Sequence, residues 1–359
     1  MARVYNFSAG PGVLPEETLA TVARDMSDWN GSGMSVAEMS HRGEHFVEIA
    51  ATASERLRRL LRVPESHHIL FLQGGATLQF SAIPMNISRG KSRAAYINSG
   101  SWSEKAIKAA SKYCEVDVVA SCEENNFTTA PSLENLVLTD EHAYLHYTPN
   151  ETIGGVRIVD VPQTNVPLVA DMSSMILSEP VDVSRYGLIY AGAQKNIGPA
   201  GLAIVIVRKD LCGEAQRITP DVIDYALMAK HDSMLNTPPT FSWYIAGLVF
   251  EWIENTGGVS EMERRAIERS KLLYDVIDTS KLYRNPVAPS DRSRMNIPFL
   301  LKDDSLNKSF LAGAKERGLV NLEGHRSVGG MRASLYNAMP IAGVRALISF
   351  MQEFEKAHI

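Results

Sequence analysis

The chain has 359 residues, enough for about two domains with a cleft between them. It is 45% hydrophobic and 21% charged, and its formal net charge of −5 gives no basic excess that would favour nucleic acid or an anionic membrane as partner. The three cysteines are far apart and show no metal-ligand spacing, so neither a disulfide framework nor a metal site is predicted. The N-terminus has no apolar core of signal-peptide length, and no apolar run in the chain approaches the length of a membrane span, so we expect a cytoplasmic protein.

Helical and strand patterns alternate from about Glu16 to Gly258, which is typical of an α/β domain with a mostly parallel sheet. Amphipathic helices are predicted in segments 15–30 and 43–63. Short buried strands are predicted in segments 68–75, 93–100, 143–150, 166–174, 187–193 and 201–210. Most of these strands end in polar or small residues, and strand ends of this kind usually face a ligand crevice.

The pattern changes after Gly257 and Gly258. A long charged helix begins near Val259, and a strand over 293–301, a helix over 306–318 and an extended segment over 329–337 follow it. We therefore predict a large domain over 17–258 and a smaller α+β domain over 259–359. Residues 1–16 are rich in glycine and proline, and we expect them to pack beside the smaller domain or across the mouth of the cleft.

A lysine and an aspartate stand at the ends of two predicted strands. Lys195 lies in the polar, glycine-bearing loop of the segment YAGAQKNIGPAG, and Asp171 directly follows the apolar residues PLVA. Taken singly, the lysine could be a surface charge and the aspartate a helix cap or a structural ion pair. Together they form the pair that pyridoxal phosphate requires: a lysine that binds the aldehyde and a carboxylate that pairs with the protonated pyridine nitrogen.

Two further features suit this cofactor. In LQGGATLQF, two glycines follow a predicted strand and lead into a helix-compatible run, so the backbone N–H groups of Ala76 and Thr77 can face an anion. Trp102, which we place at the end of the next predicted strand, offers a flat face for the pyridine ring. Core packing is the commoner role of a tryptophan in that position.

Seven motifs between Asn6 and Pro340 carry a family resemblance. They are NFSAGPGVLP, SHRG, PNETIGG, DMSS, YAGAQKNIGPAGLAIVIVR, NTPPTF and GHRSVGGMRASLYNAMP. On these motifs the chain resembles, over almost its whole length, the phosphoserine aminotransferase family of class V aminotransferases. The resemblance implies the fold type I architecture of pyridoxal-phosphate-dependent transferases and a homodimer with shared active sites.

The same resemblance implies the reaction. An amino group would pass reversibly between L-glutamate and 3-phosphohydroxypyruvate, giving O-phospho-L-serine and 2-oxoglutarate, as in serine biosynthesis. Whether 4-phosphohydroxy-L-threonine of pyridoxine biosynthesis is also a substrate stays open.

Individual roles follow from the resemblance as well. Lys195 and Asp171 would be the catalytic pair. The cofactor would be held within one chain by Ala76, Thr77, Trp102, Thr152 and Gln194, and from the partner subunit by Asn236 and Thr237. Arg332 would bind the substrate α-carboxylate, and the distal phosphate or γ-carboxylate would be bound by His41, Arg42, His325 and Arg326.

The chain departs from some family members at two places. Ala76 and Thr77 stand where certain bacterial members have Gly-Arg, so an arginine side chain is missing while the backbone donors remain. Ala9 stands where others have serine, so a hydroxyl contact to the substrate is lost. The alternatives are another class V enzyme such as an alanine:glyoxylate aminotransferase, a cysteine desulfurase of the same fold, or a non-catalytic binding protein that kept the fold.

Overall fold

The computed structural model describes residues 3–359 of the chain. The helices are α1 (Glu16–Asp25), α2 (Glu44–Leu61), α3 (Gly75–Ile87), α4 (Ser101–Ala110), α5 (Tyr225–Lys230), α6 (Thr240–Asn255), α7 (Gly258–Thr279), α8 (Asn307–Glu316) and α9 (Ile341–His358). The strands are β1 (Tyr5–Asn6), β2 (His67–Leu72), β3 (Arg93–Asn98), β4 (Glu115–Ser121), β5 (His142–Tyr147), β6 (Leu168–Asp171), β7 (Leu188–Gly192), β8 (Ala203–Arg208), β9 (Tyr283–Arg284), β10 (Asn296–Leu301), β11 (Leu319–Val320) and β12 (Met331–Ser334). None of these helices is both long enough and apolar enough to span a membrane.

Seven strands form one large mixed sheet in the order β2-β8-β7-β6-β5-β3-β4. The five strands β7, β6, β5, β3 and β4 each run parallel to their neighbours in this group. Strand β8 runs antiparallel to both β2 and β7. The predicted α/β fold with a mostly parallel sheet is therefore confirmed. The sequence pattern does not predict β4, because this edge strand is partly exposed and Glu115 and Asp117 interrupt its apolar residues.

Helices cover both faces of the large sheet, so its central strands are buried on both sides. Along β8, Ile204 and Ile206 belong to a core that also contains residues of α2 and α6. Val205 and Val207 belong to a second core, which contains residues of α3, α4 and α5. Successive side chains of a strand point to opposite faces, and this double burial explains the continuous apolar sequence of β8.

A second, smaller sheet lies in the C-terminal part of the chain. Its strands are antiparallel in the order β12-β10-β9, and its apolar side chains form a core with residues of α7, α8 and α9. Near the other terminus, β1 pairs in parallel with β11, and Phe7 is fully buried in the same core. Gly12 N donates a hydrogen bond to Gln194 O at 2.7 Å, so the N-terminal segment also contacts the loop that carries Lys195.

Candidate active site

A cavity lies at the edge of the large sheet where β2, β3, β5, β6 and β7 end. Each of these strands contributes to the lining through its last residue or the segment that directly follows it. The lining residues are Gly75, Ala76, Thr77, Trp102, Thr148, Asn150, Thr152, Asp171, Ser173, Ser174, Gln194 and Lys195. The crevice outside the carboxyl ends of parallel strands is where open α/β sheets usually bind ligands.

Lys195 is a buried lysine and not a surface charge. Only 6% of the residue is exposed, and its Nζ donates a hydrogen bond to Thr152 Oγ1 at 2.5 Å. Burial lowers the pKa of Lys195 to about 8, while the negative charges of Asp171 and Glu151 act in the opposite direction. A larger fraction of this lysine is therefore neutral near pH 7 than of a solvated lysine.

Asp171 is the last residue of β6 and is likewise buried. Its Oδ1 accepts two hydrogen bonds from Ser173, one from the backbone N at 3.0 Å and one from Oγ at 2.6 Å. Burial raises the pKa of Asp171, and the bonds from Ser173 and the charge of Lys195 oppose that change. A buried carboxylate of this kind favours a cationic partner.

The start of α3 offers an anion site at the cavity. Gly74 and Gly75 both have positive φ values, 82° and 63°, which glycine adopts without strain. No side chain caps the helix at Gly74. The first-turn N–H groups, which include those of Ala76 and Thr77, have no partner within the helix and can bind a phosphate.

Trp102 lies in the first turn of α4, so its predicted place at a strand end is wrong. The chain turns from β3 into the helix within two residues, Ser99 and Gly100. The centroid of the Trp102 ring is 5.6 Å from Lys195 Nζ. Trp102 Nε1 and Thr148 Oγ1 are buried and have no hydrogen-bond partner within residues 3–359. Buried polar atoms are normally paired, so these two atoms of cavity-lining residues fit a polar ligand.

Basic residues from the C-terminal part of the chain lie next to this cavity. Arg332 Nη1, on β12, donates to Thr152 O at 3.4 Å, and the positive charge of Arg332 lowers the pKa of Lys195. His325 Nδ1 lies 2.7 Å from Ser327 Oγ. Burial lowers the pKa of His325, and the charges of Arg332, Lys105 and Arg326 lower it further. The charges of Arg332, Lys105 and Arg326 therefore all act on His325, and a group of positive charges of this kind suits an anionic substrate.

Seven of the predicted site residues line one cavity within a single chain, namely Ala76, Thr77, Trp102, Thr152, Asp171, Gln194 and Lys195. His41 and Arg42 precede α2, and Asn236 and Thr237 lie between α5 and α6. These four do not contribute to the lining formed by residues 3–359 of their own chain, and neither do His325, Arg326 and Arg332, of which Arg332 contacts the lining residue Thr152. Thr237 O instead accepts a hydrogen bond from Gln73 Nε2 of the same chain at 3.2 Å.

Sequence reasoning missed several polar residues of the cavity. Thr148 and Asn150 follow β5, and Ser173 and Ser174 follow β6. The motifs PNETIGG and DMSS contain three of the four, so the motifs were a usable signal. No periodicity distinguishes these residues from ordinary turn residues.

The chain is similar to known aminotransferases over nearly its full length. The family described as "Aminotransferase class-V" matches residues 4–347. The phosphoserine aminotransferase of Aromatoleum aromaticum is 56% identical over 362 aligned positions, which cover 99% of each chain. Two solved phosphoserine aminotransferases have the same fold: that of Bacillus circulans subsp. alkalophilus (TM-score 0.97, 44% identity, 99% of each chain) and the PLP-bound enzyme of Trichomonas vaginalis (TM-score 0.94, 42% identity, 98% of this chain and 100% of the other).

Proposed function

The chain belongs to the class V aminotransferase family, and we propose that it acts as a phosphoserine aminotransferase. L-Glutamate would give its amino group to 3-phosphohydroxypyruvate, which yields 2-oxoglutarate and O-phospho-L-serine. The observation that carries the proposal is the buried pair Lys195 and Asp171 in one cavity at the sheet edge. The substrate assignment is supported by full-length relatives that bear this name.

Pyridoxal phosphate fits the cavity as cofactor. When bound, it supplies a cationic pyridine ring that accepts the electron pair of the bond broken at the substrate Cα. Lys195 would hold the aldehyde carbon, and Asp171 would hold the protonated ring nitrogen. The other contacts from this chain would come from Ala76, Thr77 and Gln194 at the phosphate, Trp102 on the ring face and Thr152 at the phenolic oxygen.

Lys195 also has the properties needed to move the proton at the substrate Cα. The hydrogen bond to Thr152 Oγ1 fixes its Nζ at the cavity wall. Because burial holds its pKa near 8, the amine can accept a proton as general base and return it as general acid. The same residue therefore retains the cofactor and transfers the proton.

We further propose that two copies of the chain complete each active site. His41, Arg42, Asn236 and Thr237 lie outside the cavity of their own chain, although the family resemblance assigns them to substrate and cofactor. A two-fold dimer with an isologous interface would bring such residues to the cavity of the partner.

The cytoplasmic location expected from the sequence likewise stays a prediction.

The two anions of the substrate would be bound at different places. Arg332 contacts the Thr152 carbonyl beside Lys195 and would bind the α-carboxylate. His325 and Arg326 of the same chain, with His41 and Arg42, would bind the distal phosphate or γ-carboxylate. Guanidinium groups suit both because they match carboxylate and phosphate oxygens in bidentate geometry.

Asp171→Asn should keep the covalent attachment of the cofactor but lower the rate of amino transfer roughly 100-fold or more, since a neutral amide no longer favours the protonated ring. Asp182→Asn is a matched control, because exposed Asp182 accepts the same two bonds from Ser184 that Asp171 accepts from Ser173. Steady-state rates and the visible absorbance of both variants measure the effect. Normal turnover by Asp171→Asn would show that the carboxylate does not serve the ring nitrogen.

The capture of pyridoxal phosphate by the apoenzyme should depend on pH in a way that reports Lys195. Only the neutral amine adds to the aldehyde, and burial lowers the pKa of Lys195 to about 8. The capture rate should therefore rise with pH and level off above about 8, as stopped-flow absorbance can measure. A rate that keeps rising beyond pH 10, as for a solvated lysine, would contradict the burial of this amine.

Arg326→Ala should weaken binding of the phosphorylated keto acid more than binding of glutamate. A dianion loses more than a monoanion when a charge-assisted contact is removed, and we expect the Michaelis constant for the keto acid to rise about tenfold further than that for glutamate. Exposed Arg345 in α9 provides the control variant Arg345→Ala. Equal changes in the two Michaelis constants would argue against a distal-anion role.

The substrate assignment is tested by a screen of amino donors and keto acids. The pair of glutamate and 3-phosphohydroxypyruvate should give the highest catalytic efficiency, and 4-phosphohydroxy-L-threonine belongs in the same screen. A preference for alanine with glyoxylate would favour the alternative class V activity. A protein that binds pyridoxal phosphate but transfers no amino group would be the non-catalytic alternative.

A further inference from the structure

Glu151 is a fully buried carboxylate beside the cavity-lining residue Thr152, and it is not among the residues that would contact cofactor or substrate. Its Oε2 accepts a hydrogen bond from Trp102 N at 3.1 Å. Its Oε1 accepts a bond from Ser103 N at 3.0 Å, while the Ser103 hydroxyl has a shorter bond to Gly100 O at 2.7 Å. Both backbone donors belong to the first turn of α4, and they lie 48 and 49 positions earlier in the chain.

Glu151 supplies the cap that the start of α4 lacks. The residue before the helix is Gly100, which has no side chain to cap the free N–H groups. A Cβ at position 100 would stand 3.0 Å from Glu151 Cδ and 3.1 Å from Cγ, and the φ of Gly100 is +146°. The glycine therefore leaves room for the Glu151 carboxylate at the helix end, where a negative charge is also favoured by the helix dipole.

The ring of Trp102 depends on this anchor. Trp102 is the second residue of α4, and its own backbone N is one of the donors to Glu151. The indole Nε1 has no hydrogen-bond partner within residues 3–359, and the ring itself contacts the Lys105 ammonium, which lies 4.1 Å from its centroid. The backbone bonds to Glu151 thus hold the helix turn from which the ring extends to the cavity.

The adjacent residue anchors Lys195. Thr152 Oγ1 accepts the hydrogen bond from Lys195 Nζ. The segment that follows β5 therefore contacts α4 through Glu151 and Lys195 through Thr152. The negative charge of Glu151 also raises the pKa of Lys195, although burial of that lysine has the larger effect. Burial raises the pKa of Glu151 itself to about 6, which leaves it mainly ionised at neutral pH.

We propose that Glu151 is a positioning residue for the cofactor, which holds the Trp102 ring against the pyridine ring by capping α4. The inference rests on the proposed pyridoxal phosphate function. A role limited to folding would change the stability of the protein without a specific link to Trp102 or Lys195.

Equilibrium binding of pyridoxal phosphate to the apoenzyme tests the proposal. Glu151→Gln keeps the size of the side chain but turns amide N–H groups toward backbone donors, and we expect the Kd to rise about tenfold. Glu104→Gln is the matched control, because Glu104 is an exposed acid in the same first turn of α4 and its loss should leave the Kd unchanged. A parent-like Kd for Glu151→Gln overturns the proposal, whereas failure of the parent itself to bind pyridoxal phosphate refutes the proposed function.

A double-mutant cycle shows whether Glu151 acts through Trp102. In a Trp102→Ala background, Glu151→Gln should raise the Kd less than about twofold further, because the ring that it positions has gone. Fully additive losses would overturn the proposal. If Glu151→Gln gives no folded apoenzyme by near-ultraviolet circular dichroism, Glu151→Asp keeps the charge but draws the carboxylate back from the two backbone donors. This variant should raise the Kd about twofold to threefold when Trp102 is present and not when Trp102 is replaced. An equal rise with and without Trp102, or no rise when Trp102 is present, would overturn the proposal.

The pH dependence of cofactor capture gives a readout that a folding role would not move. Removing the anion disfavours the ammonium form of Lys195, so Glu151→Gln should shift the rise in capture rate to lower pH. Glu104→Gln should leave the rise in place. An unshifted rise in Glu151→Gln would contradict the proximity of the Glu151 charge to the lysine on which the proposal draws.

Discussion

Lys195→Ala is expected to abolish amino transfer and to prevent covalent attachment of pyridoxal phosphate. The substitution removes the amine that would hold the aldehyde and move the Cα proton. No other lysine lines the cavity formed by residues 3–359. Residual turnover should be at least about 10⁴-fold below that of the parent. Steady-state assays and mass spectrometry after borohydride reduction measure the rate and the attachment.

Substitution of a lysine outside the cavity shows whether the loss of activity is specific to Lys195. Lys209 is an exposed lysine that follows β8, and Lys209→Ala should retain parent-like turnover and a reducible cofactor adduct. If Lys195→Ala kept a substantial part of the parent rate, or still gave the adduct at another lysine, the assignment of Lys195 would be wrong.

Co-expression of Lys195→Ala with Arg42→Ala is expected to restore activity that neither variant has alone. If Lys195 of one subunit and Arg42 of the other serve the same site, a mixed dimer has one site with both defects and one site with neither. Random assembly makes about half of the dimers mixed, so about a quarter of the parent activity should return. The measurement is the specific activity of the purified mixture against each homodimer.

A second pair of variants provides the control. Lys195 and Asp171 line the same cavity of one chain, so every site in a mixed dimer of Lys195→Ala and Asp171→Asn carries one defect. This mixture should be no more active than the average of its two homodimers. If the mixture with Arg42→Ala were equally inactive, Arg42 would serve its own chain's site or no site.

The central pair of the site could be predicted from the sequence because it directly follows buried strands. Asp171 is the last residue of β6 and Lys195 is three residues beyond β7, and apolar residues mark both strands clearly. The first turn of α3 was also predictable, since its two glycines interrupt the strand pattern and precede a helical one. Local sequence therefore carries the information for the parts of the site that are built locally.

Other features depend on contacts that are distant in sequence. The helical position of Trp102 is set by Gly100 and by the carboxylate of Glu151, which arrives from the turn after β5. Strand β4 escapes the apolar pattern because an edge strand is exposed on one side. The residues expected from a second subunit cannot be placed by the fold of one chain, and the division at residue 258 also stays a prediction.

A single-turnover transfer of ¹⁵N shows whether the protein carries an amino group from one substrate to the other. The holoenzyme is incubated with ¹⁵N-glutamate, freed of small molecules by gel filtration, and then given 3-phosphohydroxypyruvate. The account predicts one equivalent of ¹⁵N-phosphoserine per cofactor-bearing subunit, because the protein retains the amino group between the two substrates. No labelled phosphoserine after the gel filtration step, with a holoenzyme that is otherwise intact, would contradict the proposed amino transfer.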